Sequence, residues 1–262
     1  MVKFFFLIPT LNSTNNLSRL ITSFQEQTYK NWRIMFVDGL SNKFHKNKMQ
    51  EICSISKRIT MIHQNINENG IYSAMNEGFK NIKEDELLFF WGDDDWVYSP
   101  DTLENLASTI QKNKNNELII CQGQYVNLKT GNLSRKSIFI KNHNNIQLNN
   151  KLFRRLLFYG YSPPHQATGF SFGVCKKIGS YSKKLELVAD LDLFLKISKF
   201  DDLSILNLNN KMVLMSNAGI SSRKIYKRLL EVFMVYLDSF GIYFFVPLVM
   251  RYVRKISSKI FI

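Results

Sequence analysis

The chain has 262 residues, of which 45% are hydrophobic and 13% aromatic, and this much apolar material can bury the core of one large domain or two small ones, which excludes a disordered chain. Its three cysteines are far apart and form no C-x-x-C pair, so they exclude a disulfide framework and a cysteine zinc site and favour a reducing cytoplasm. The formal net charge of +14 indicates a nucleic acid, an anionic lipid or an anionic ligand as partner.

The first 125 residues alternate short apolar runs with stretches of helical period, which indicates βαβ units and a mainly parallel sheet. The apolar run before Pro9 is too short for a signal peptide and predicts a buried strand. Ser99 and Pro100 are predicted to open a helix as its N-cap and first residue. In chain order, the pattern predicts strands at 4–8, 32–37, 59–62, 86–91 and 118–121, and helices at 17–24, 49–53, 74–82 and 99–110.

The second half has a different pattern. Residues 124–128 and 133–140, joined by a Gly-containing turn, predict an antiparallel hairpin, and the basic, Asn-rich stretch 141–151 predicts a loop. Short helices are expected at 152–158 and 190–200. The predicted fold class is therefore α/β, with a Rossmann-like sheet first and a smaller antiparallel element later.

The acidic run Asp93, Asp94 and Asp95 follows the apolar strand at 86–91 directly. Ligands of open parallel sheets bind beyond the carboxyl ends of strands, and carboxylate oxygens suit Mg²⁺ or Mn²⁺ bridging a diphosphate. If the run is extended, Asp93 and Asp95 lie on one side and form the metal pair. The alternative is an acidic turn that caps the next helix.

Other candidate residues have an ordinary structural explanation beside the functional one. Asp38 ends a strand at the same edge of the sheet, where a carboxylate can bind a base or ribose. Asp190 and Asp192 open a helix, where acidic residues favourably face the macrodipole, and they point in different directions. His165, after two prolines, is a candidate for contact with phosphate or acceptor, or a hydrogen-bonding core residue.

Taken together, the motifs between Lys3 and Ser222 resemble the inverting family 2 glycosyltransferases of GT-A fold, in particular those of bacterial surface polysaccharide synthesis. The match rests on the order of the segments Ile8-Pro-Thr-Leu-Asn12, Val37-Asp-Gly-Leu-Ser41, Asn69-Gly70, Ala74-Met-Asn-Glu-Gly78, Trp91-Gly-Asp-Asp-Asp-Trp96, His165-Gln166 and Val188-Ala-Asp-Leu-Asp-Leu-Phe-Leu195.

The resemblance implies a role for each matching residue. Asp190 is the implied general base, and His165 and Gln166 are assigned to the acceptor or the diphosphate. Mn²⁺ or Mg²⁺ is the implied cofactor, and the family register pairs Asp94 with Asp95 instead of Asp93 with Asp95. The nucleotide sugar is assigned to Pro9, Thr10, Asn12, Asp38, Asn69, Gly70, Asn76, Asp93 and Asp94.

The expected reaction moves a sugar from a nucleotide-diphospho-sugar, a UDP-sugar by resemblance, to a saccharide or lipid-linked saccharide. Asp190 would take the proton of the attacking hydroxyl, with Glu186 or His165 as the next candidates, and the anomeric configuration would invert. Two alternatives are a sugar nucleotidylyltransferase and a catalytically inactive carbohydrate-binding or membrane scaffold. Nucleic acid is not expected as a partner, because no reading motif accompanies the charge.

The domain is expected to span 1–222, with a donor half at 1–125 and an acceptor half at 126–222, followed by a basic, apolar tail at 223–262. The uncharged run 239–250 is too short to span a bilayer, which needs about 20 residues. We expect an interfacial helix on anionic lipid at the inner face of the cell membrane. The alternative is a helix packed on the domain or on a second subunit.

Overall fold

The computed structural model describes residues 1–13, 16–67, 70–113, 115–141, 145–216 and 224–260, with side chains up to 256. Its strands are Lys3–Thr10 (β1), Trp32–Asp38 (β2), Ile59–His63 (β3), Glu86–Phe90 (β4), Trp96–Val97 (β5), Leu118–Val126 (β6), Leu133–Ser137 (β7), Ile146–Asn149 (β8), Thr168–Ser171 (β9) and Ser204–Ser216 (β10). Its α-helices are Leu17–Gln25 (α1), Lys43–Ser54 (α2), Ile71–Asn81 (α3), Thr102–Lys112 (α4), Asn150–Phe158 (α5), Phe172–Ile178 (α6), Ala189–Ile197 (α7), Ile225–Phe240 (α8) and Phe245–Ile260 (α9). Within the described residues, short 3-10 helices occupy His165–Ala167 and Gly241–Phe244.

These strands form one sheet in the order β3-β2-β1-β4-β9-β6-β10-β5. The first four are parallel to one another, and β10 is parallel to β6. The antiparallel strand β9 joins the two parallel groups. Strand β7 pairs with the carboxyl end of β6, and β8 pairs with the amino end of β10. The carboxyl ends of β1 to β4 therefore lie along one edge, as expected of βαβ units.

Strand β1 shows why the sheet is covered on both faces. Its side chains alternate between two hydrophobic cores, because successive residues of a strand point to opposite faces. Phe4, Phe6 and Ile8 pack with α1, α2 and α4 on one face. Phe5 and Leu7 pack on the other face with a larger core that includes α3, α5, α7 and α8. A continuous apolar run is what such a doubly covered parallel strand requires.

The predicted elements of the first half are confirmed within a few residues, with two corrections. Helix α4 begins at Thr102 with Asp101 at the N-cap position, because Ser99 and Thr102 bond each other in a turn before it. The strands expected at 118–121 and 124–128 are one strand, β6, and the hairpin with β7 extends from its end.

The prediction of a loop at 141–151 is wrong from Ile146 onward, and its residues 142–144 lie outside the described part of the chain. Ile146–Asn149 is strand β8, which pairs antiparallel with the start of β10, and α5 begins at the next residue. Asn149 caps this helix by accepting a hydrogen bond from the backbone N–H of Leu152 at 2.9 Å. The Asn-rich composition favoured a loop, but here it supplies a cap between two regular elements.

The C-terminal helices pack on the rest of the chain. Val232, Val235 and Tyr236 of α8 are buried in the larger core. The Nε of Arg254 in α9 donates to the carbonyl of Tyr159 at 2.8 Å. Within the described residues, one segment, Ile225–Ile256, is long and apolar enough to cross a membrane by length and composition, and 22% of its most apolar window is buried.

Candidate functional site

The site begins at the edge where three parallel strands end. Thr10, Asp38 and His63 are the last residues of β1, β2 and β3, and the strand register aligns Thr10 with Asp38 and Asp38 with His63. The neighbouring strand β4 is followed by Trp91 and the acidic run. The fold thus brings Thr10, Asp38 and the acidic run, far apart in sequence, to one edge.

Asp38 lies at the centre of a small polar cluster and is fully buried. Its carboxylate accepts hydrogen bonds from the backbone N–H of Ser41, and the Nδ1 of His63 lies 3.1 Å away. On the other side, His45 places Nε2 at 3.9 Å from Asp38 and at 3.2 Å from the hydroxyl of Thr10. The two histidines were not predicted. The signal for His63 was its position at the end of a strand, in register with Asp38.

The acidic run forms a turn, so the expectation of an extended segment is wrong. The turn is closed by the backbone N–H of Asp95, which donates to the carbonyl of Gly92 at 3.3 Å. Burial raises the pKa of Asp93, and the hydroxyls of Ser13 and Thr10 lie close enough to oppose this rise, so the turn lies beside the end of β1. Asp95 is buried and accepts from the N–H of Gly92 at 2.8 Å.

The carboxylates that converge are those of Asp94 and Asp95. A Cβ at Gly92 would lie 2.9 Å from Oδ1 of Asp94 and 3.1 Å from Oδ2 of Asp95, so glycine leaves open a space between them. Burial, and next the charge of Asp94, raises the pKa of Asp95 well above its ordinary value. A divalent cation held by oxygen ligands fits this acidic space. In the described part of the chain, no three His, Cys, Asp or Glu side chains are already arranged as a metal site.

Three of the predicted donor residues have structural partners. The side chain of Asn12 accepts from the backbone N–H of Asn42 at 2.9 Å, which joins the loops after β1 and β2. Asn76 is buried and accepts from the N–H of Tyr181 at 2.7 Å. Gly70, the N-cap of α3, is exposed and accepts from Gln64 at 3.1 Å.

The remaining donor residues lie at the same edge or outside the description. Pro9 precedes Thr10 in β1 and is aligned with Val37 of β2. Asn69 lies outside the described residues.

Asp190 and Asp192 have different surroundings, as the helical geometry predicted. Asp190, the second residue of α7, is half-buried, and the hydroxyl of Tyr72 lies 3.4 Å from its Oδ1. Asp192 is buried and pairs with Lys196 at 2.7 Å. Glu186 is exposed and pairs with lysines of α8. Of the three acids, Asp190 alone combines partial burial with a negative charge that affects its aromatic neighbours, since it contributes to raising the pKa of Tyr72 and of Tyr181.

The segment 165–166 lies between the acidic turn and Asp190. The indole N–H of Trp91, just before the turn, donates to the carbonyl of Gln166 at 2.7 Å. The ring of His165 stacks on Phe90, and its Nε2 lies 2.6 Å from the hydroxyl of Tyr181. Burial lowers the pKa of His165, while the negative charge of Asp190 acts in the opposite direction. This segment therefore connects the two acidic regions.

Glu231 of α8 holds the backbone that leads into α7. Its buried carboxylate accepts hydrogen bonds from the N–H groups of three successive residues, at 3.2, 2.9 and 3.2 Å. The three donors are Glu186, Leu187 and Val188, which come immediately before the helix of Asp190. In the sequence, Glu231 counted only as a charge that interrupts the apolar tail, and nothing local indicates this contact.

A groove of about 420 Å³ lies between α1 and β5, lined by side chains that include Arg19, Glu26 and Trp96. Arg19 lies over the ring of Trp96 at 3.6 Å. None of Asp38, Asp93 to Asp95 and Asp190 lines the groove, but it adjoins the acidic turn, since the charge of Asp94 opposes the lowering of the pKa of Arg19 by burial.

Comparison with known proteins identifies the family. The model of "Glycosyl transferase family 2" matches residues 5–179, which is 175 of the 262 residues. A "PGL/p-HBAD biosynthesis glycosyltransferase" of Mycobacterium bovis is 27% identical over 197 residues, which is 72% of this chain and 67% of the relative.

Two solved structures show the same fold. S. aureus TarS 1-349 in complex with UDP-GlcNAc matches with a TM-score of 0.68 at 17% identity, covering 98% of this chain and 73% of TarS. The mannosyltransferase PcManGT from Pyrobaculum calidifontis, in complex with GDP-Man and Mn²⁺, matches with a TM-score of 0.64 at 13% identity, covering 96% and 69%. The chain therefore belongs to glycosyl transferase family 2 and has the GT-A fold.

Proposed function

We propose that the chain transfers a sugar from a nucleoside-diphosphate sugar to an acceptor hydroxyl with inversion at the anomeric carbon. The observation that carries this proposal is the connection of the acidic turn to Asp190 through the segment 165–166. A donor bound at the strand edge and an acceptor activated at α7 would then meet across that segment. Membership of the family supports the same reaction class.

In this mechanism, the donor half binds and orients the nucleotide. Asp38 and His63 would face the base or ribose, since both lie at the carboxyl ends of parallel strands. Thr10 and Asp93, which lie close together, would fix the turn beside β1 so that the diphosphate reaches it. UDP is the proposed nucleotide, because TarS binds UDP-GlcNAc in a related fold.

Asp94 and Asp95 would hold Mn²⁺ or Mg²⁺ in the space above Gly92. When bound, the ion would neutralise charge on the departing nucleoside diphosphate. PcManGT was solved with Mn²⁺, which supports this choice of ion. Holding the cation at Asp94 and Asp95 leaves Asp93 beside the hydroxyls of Ser13 and Thr10.

Asp190 would act as the general base. A base must lie within hydrogen-bond reach of the hydroxyl that it deprotonates, and the half-buried carboxylate of Asp190 is accessible to one. Tyr72, 3.4 Å from Oδ1, would orient the carboxylate. The bonds from Glu231 would hold the backbone before α7 and so position Asp190 indirectly.

The proposed acceptor is a saccharide or lipid-linked saccharide of a bacterial surface polysaccharide, handled at the inner face of the cell membrane. Support comes from apolar side chains of α9 that remain exposed, with fractional exposures of 54% for Phe245, 56% for Val249 and 52% for Val253. These residues repeat at helical spacing and form one stripe, which suits an interfacial helix. The packing of α8 and α9 on the domain would hold this stripe close to Asp190.

The proposal is tested by thermal unfolding of the full chain with Mn²⁺ and a panel of nucleoside diphosphates and their sugars. A true donor binds only the folded state, and at a hundredfold excess over its dissociation constant it raises the free energy of unfolding by about 2.7 kcal/mol. The midpoint temperature of unfolding therefore rises. UDP or a UDP-sugar should stabilise most, and chelator should reduce the effect. If no nucleotide raises the midpoint with or without metal, the proposed function is wrong.

A further inference from the structure

The end of β3 places an exposed histidine beside a buried carboxylate. His63 is the last residue of β3 and is in register with Asp38 at the end of β2. Its Nδ1 lies 3.1 Å from Oδ2 of Asp38, yet 53% of its side chain is exposed, whereas Asp38 has no exposed surface. The pair therefore presents an imidazole, and not a carboxylate, at the edge where ligands of parallel sheets bind.

The carboxylate of Asp38 is already occupied by groups of the protein itself. The backbone N–H of Ser41 lies 3.3 Å from Oδ1 and 3.2 Å from Oδ2. His45 is buried and places Nε2 at 3.9 Å from Oδ1, and the hydroxyl of Thr10 lies 3.2 Å from the same Nε2. Because no surface of Asp38 is left to a ligand, His63 is the member of this cluster that a base can contact.

The contact with Asp38 determines what the other ring nitrogen of His63 can do. An ionised carboxylate only accepts hydrogen bonds, so Nδ1 of His63 carries a proton and donates to it. In the neutral ring Nε2 is then an acceptor, and it points away from Asp38 because the two ring nitrogens face roughly opposite directions. Nε2 has no hydrogen-bond partner among the residues that the structure describes. The partner that fits this nitrogen is a hydrogen-bond donor.

Two exposed leucines lie at the same edge, on the loops after β1 and β2. Leu11 is 60% exposed and Leu40 is 45% exposed. Leu40 has φ of 65°, a left-handed conformation that is unfavourable for a bulky residue and persists only where its surroundings hold it. A Cβ at Gly39 would lie 3.5 Å from Cδ1 of Leu11, so Leu11 lies beside the residue that follows Asp38. The leucines offer a planar base an apolar surface near the acceptor nitrogen.

Hydrogen bonds hold these two loops together before any ligand binds. The backbone N–H of Gly39 donates to the carbonyl of Thr10 at 2.9 Å. The backbone N–H of Asn12 donates to the hydroxyl of Ser41 at 2.9 Å. A preformed site loses less conformational freedom on binding, which favours recognition of one ligand geometry.

We propose that Nε2 of His63 accepts the ring N–H of uracil, and that Asp38 acts through His63 by holding the ring in this orientation. Uracil carries a proton on N3, whereas neutral cytosine and adenine have an acceptor at the corresponding ring nitrogen. His63 is thus the residue that determines specificity for the base, and Asp38 is its positioning residue. This inference rests on the proposed function, which takes the donor as a UDP-sugar bound at the strand edge. It adds the atom that recognises the base.

The test measures binding of UDP, N3-methyl-UDP and CDP to the full chain with Mn²⁺ by titration calorimetry, at about pH 8, where an ordinary histidine is neutral. Wild type should bind N3-methyl-UDP and CDP about tenfold more weakly than UDP or worse, because neither supplies the N–H and Nε2 is left unpaired. His63→Ala should bind UDP and N3-methyl-UDP alike, since it removes the acceptor and leaves room for the methyl group. The matched control is Thr60→Ala, at an exposed position earlier in β3, which should discriminate as wild type does.

A purely structural role of His63 would weaken binding of UDP and N3-methyl-UDP by the same factor in His63→Ala. The ratio of their affinities would then stay as in wild type, and the proposal would be overturned. Wild-type binding of N3-methyl-UDP or CDP as tight as that of UDP would also overturn it, although the proposed function would stand because a nucleotide still binds. If no nucleoside diphosphate binds with or without Mn²⁺, the proposed function fails together with this inference.

Discussion

Three adjacent carboxylates at the end of β4 differ in what holds them. Asp93 lies beside two hydroxyls, Asp95 is buried and accepts from the backbone N–H of Gly92, and Asp94 reaches the space above Gly92. The sequence alone allowed the metal to be held by Asp93 and Asp95 or by Asp94 and Asp95. The choice depends on whether the segment is extended or forms a turn. The turn favours Asp94 and Asp95 as the metal pair.

We therefore expect Asp94→Asn and Asp93→Asn to differ. Asp94→Asn should weaken Mn²⁺ binding in the presence of nucleotide about tenfold or more, because it removes a charged ligand. Asp93→Asn should weaken Mn²⁺ binding less, since the side chain of Asp93 already lies beside the hydroxyls of Ser13 and Thr10. Titration of free Mn²⁺ by electron paramagnetic resonance measures both. A larger loss of Mn²⁺ binding for Asp93→Asn would favour Asp93 and Asp95 as the metal pair instead.

His165 should make stability depend on pH. Its pKa is lowered by burial, so the folded state holds it neutral while the unfolded chain protonates near its ordinary value of about 6.5. The unfolded state then binds more protons in acid, and the free energy of unfolding falls as pH drops below that value. In urea titrations, the free energy of unfolding of His165→Gln should fall less than that of wild type between about pH 7 and about pH 5. Identical slopes would contradict this origin of the effect.

The elements that could be predicted from sequence are those with local signals. The run from Phe4 to Ile8 needs only its own composition to be assigned as a buried strand. Strand β8 depends on pairing with β10, almost sixty positions later, and its Asn-rich sequence hides this. The same distinction holds in the site: Asp38 was found at a strand end, but His45 and Glu231 act through tertiary contacts. Local pattern carries no information about such contacts.

The contact of α9 with the loop after α5 gives a test at the scale of elements. Gly160 has φ of 76° and no room for a Cβ, whereas Gly131 has φ of 71° and nothing within 4 Å of that position. Both alanine variants should lose about 1–2 kcal/mol from the left-handed backbone alone. Gly160→Ala should lose clearly more, and α9 should become sensitive to protease. Urea unfolding with limited proteolysis distinguishes the two, and equal losses would mean that α9 is not tightly docked.

For the whole molecule, the tail is both part of the packed structure and a surface. Burial of Glu231, Val232 and Tyr236 makes α8 part of the core, while the outer stripe of α9 stays exposed. This combination agrees with the expected interfacial helix and also with the alternative of a helix packed on the domain. Helices α8 and α9 thus link the surface proposed to bind the membrane with Asp190, the proposed catalytic base.

Flotation with vesicles tests the membrane proposal. Val249→Asp with Val253→Asp should reduce binding to anionic vesicles about tenfold or more, because it places charge on the proposed buried face. Leu128→Asp with Leu133→Asp is the matched control, since these exposed apolar residues lie on the hairpin. High salt should weaken wild-type binding. If the full chain ignores vesicles of every composition, the exposed stripe has another partner.

The central claim is that Asp190 activates the acceptor while the strand edge binds the donor. The most direct test measures donor binding and single-turnover release of sugar from the same donor, for wild type, Asp190→Asn and Asp192→Asn. Asp190→Asn should lose rate by about a hundredfold or more with donor affinity unchanged. Asp192→Asn should lose stability from its pair with Lys196 but keep its rate. Near wild-type release by Asp190→Asn, or a collapse of donor binding with it, would contradict the account.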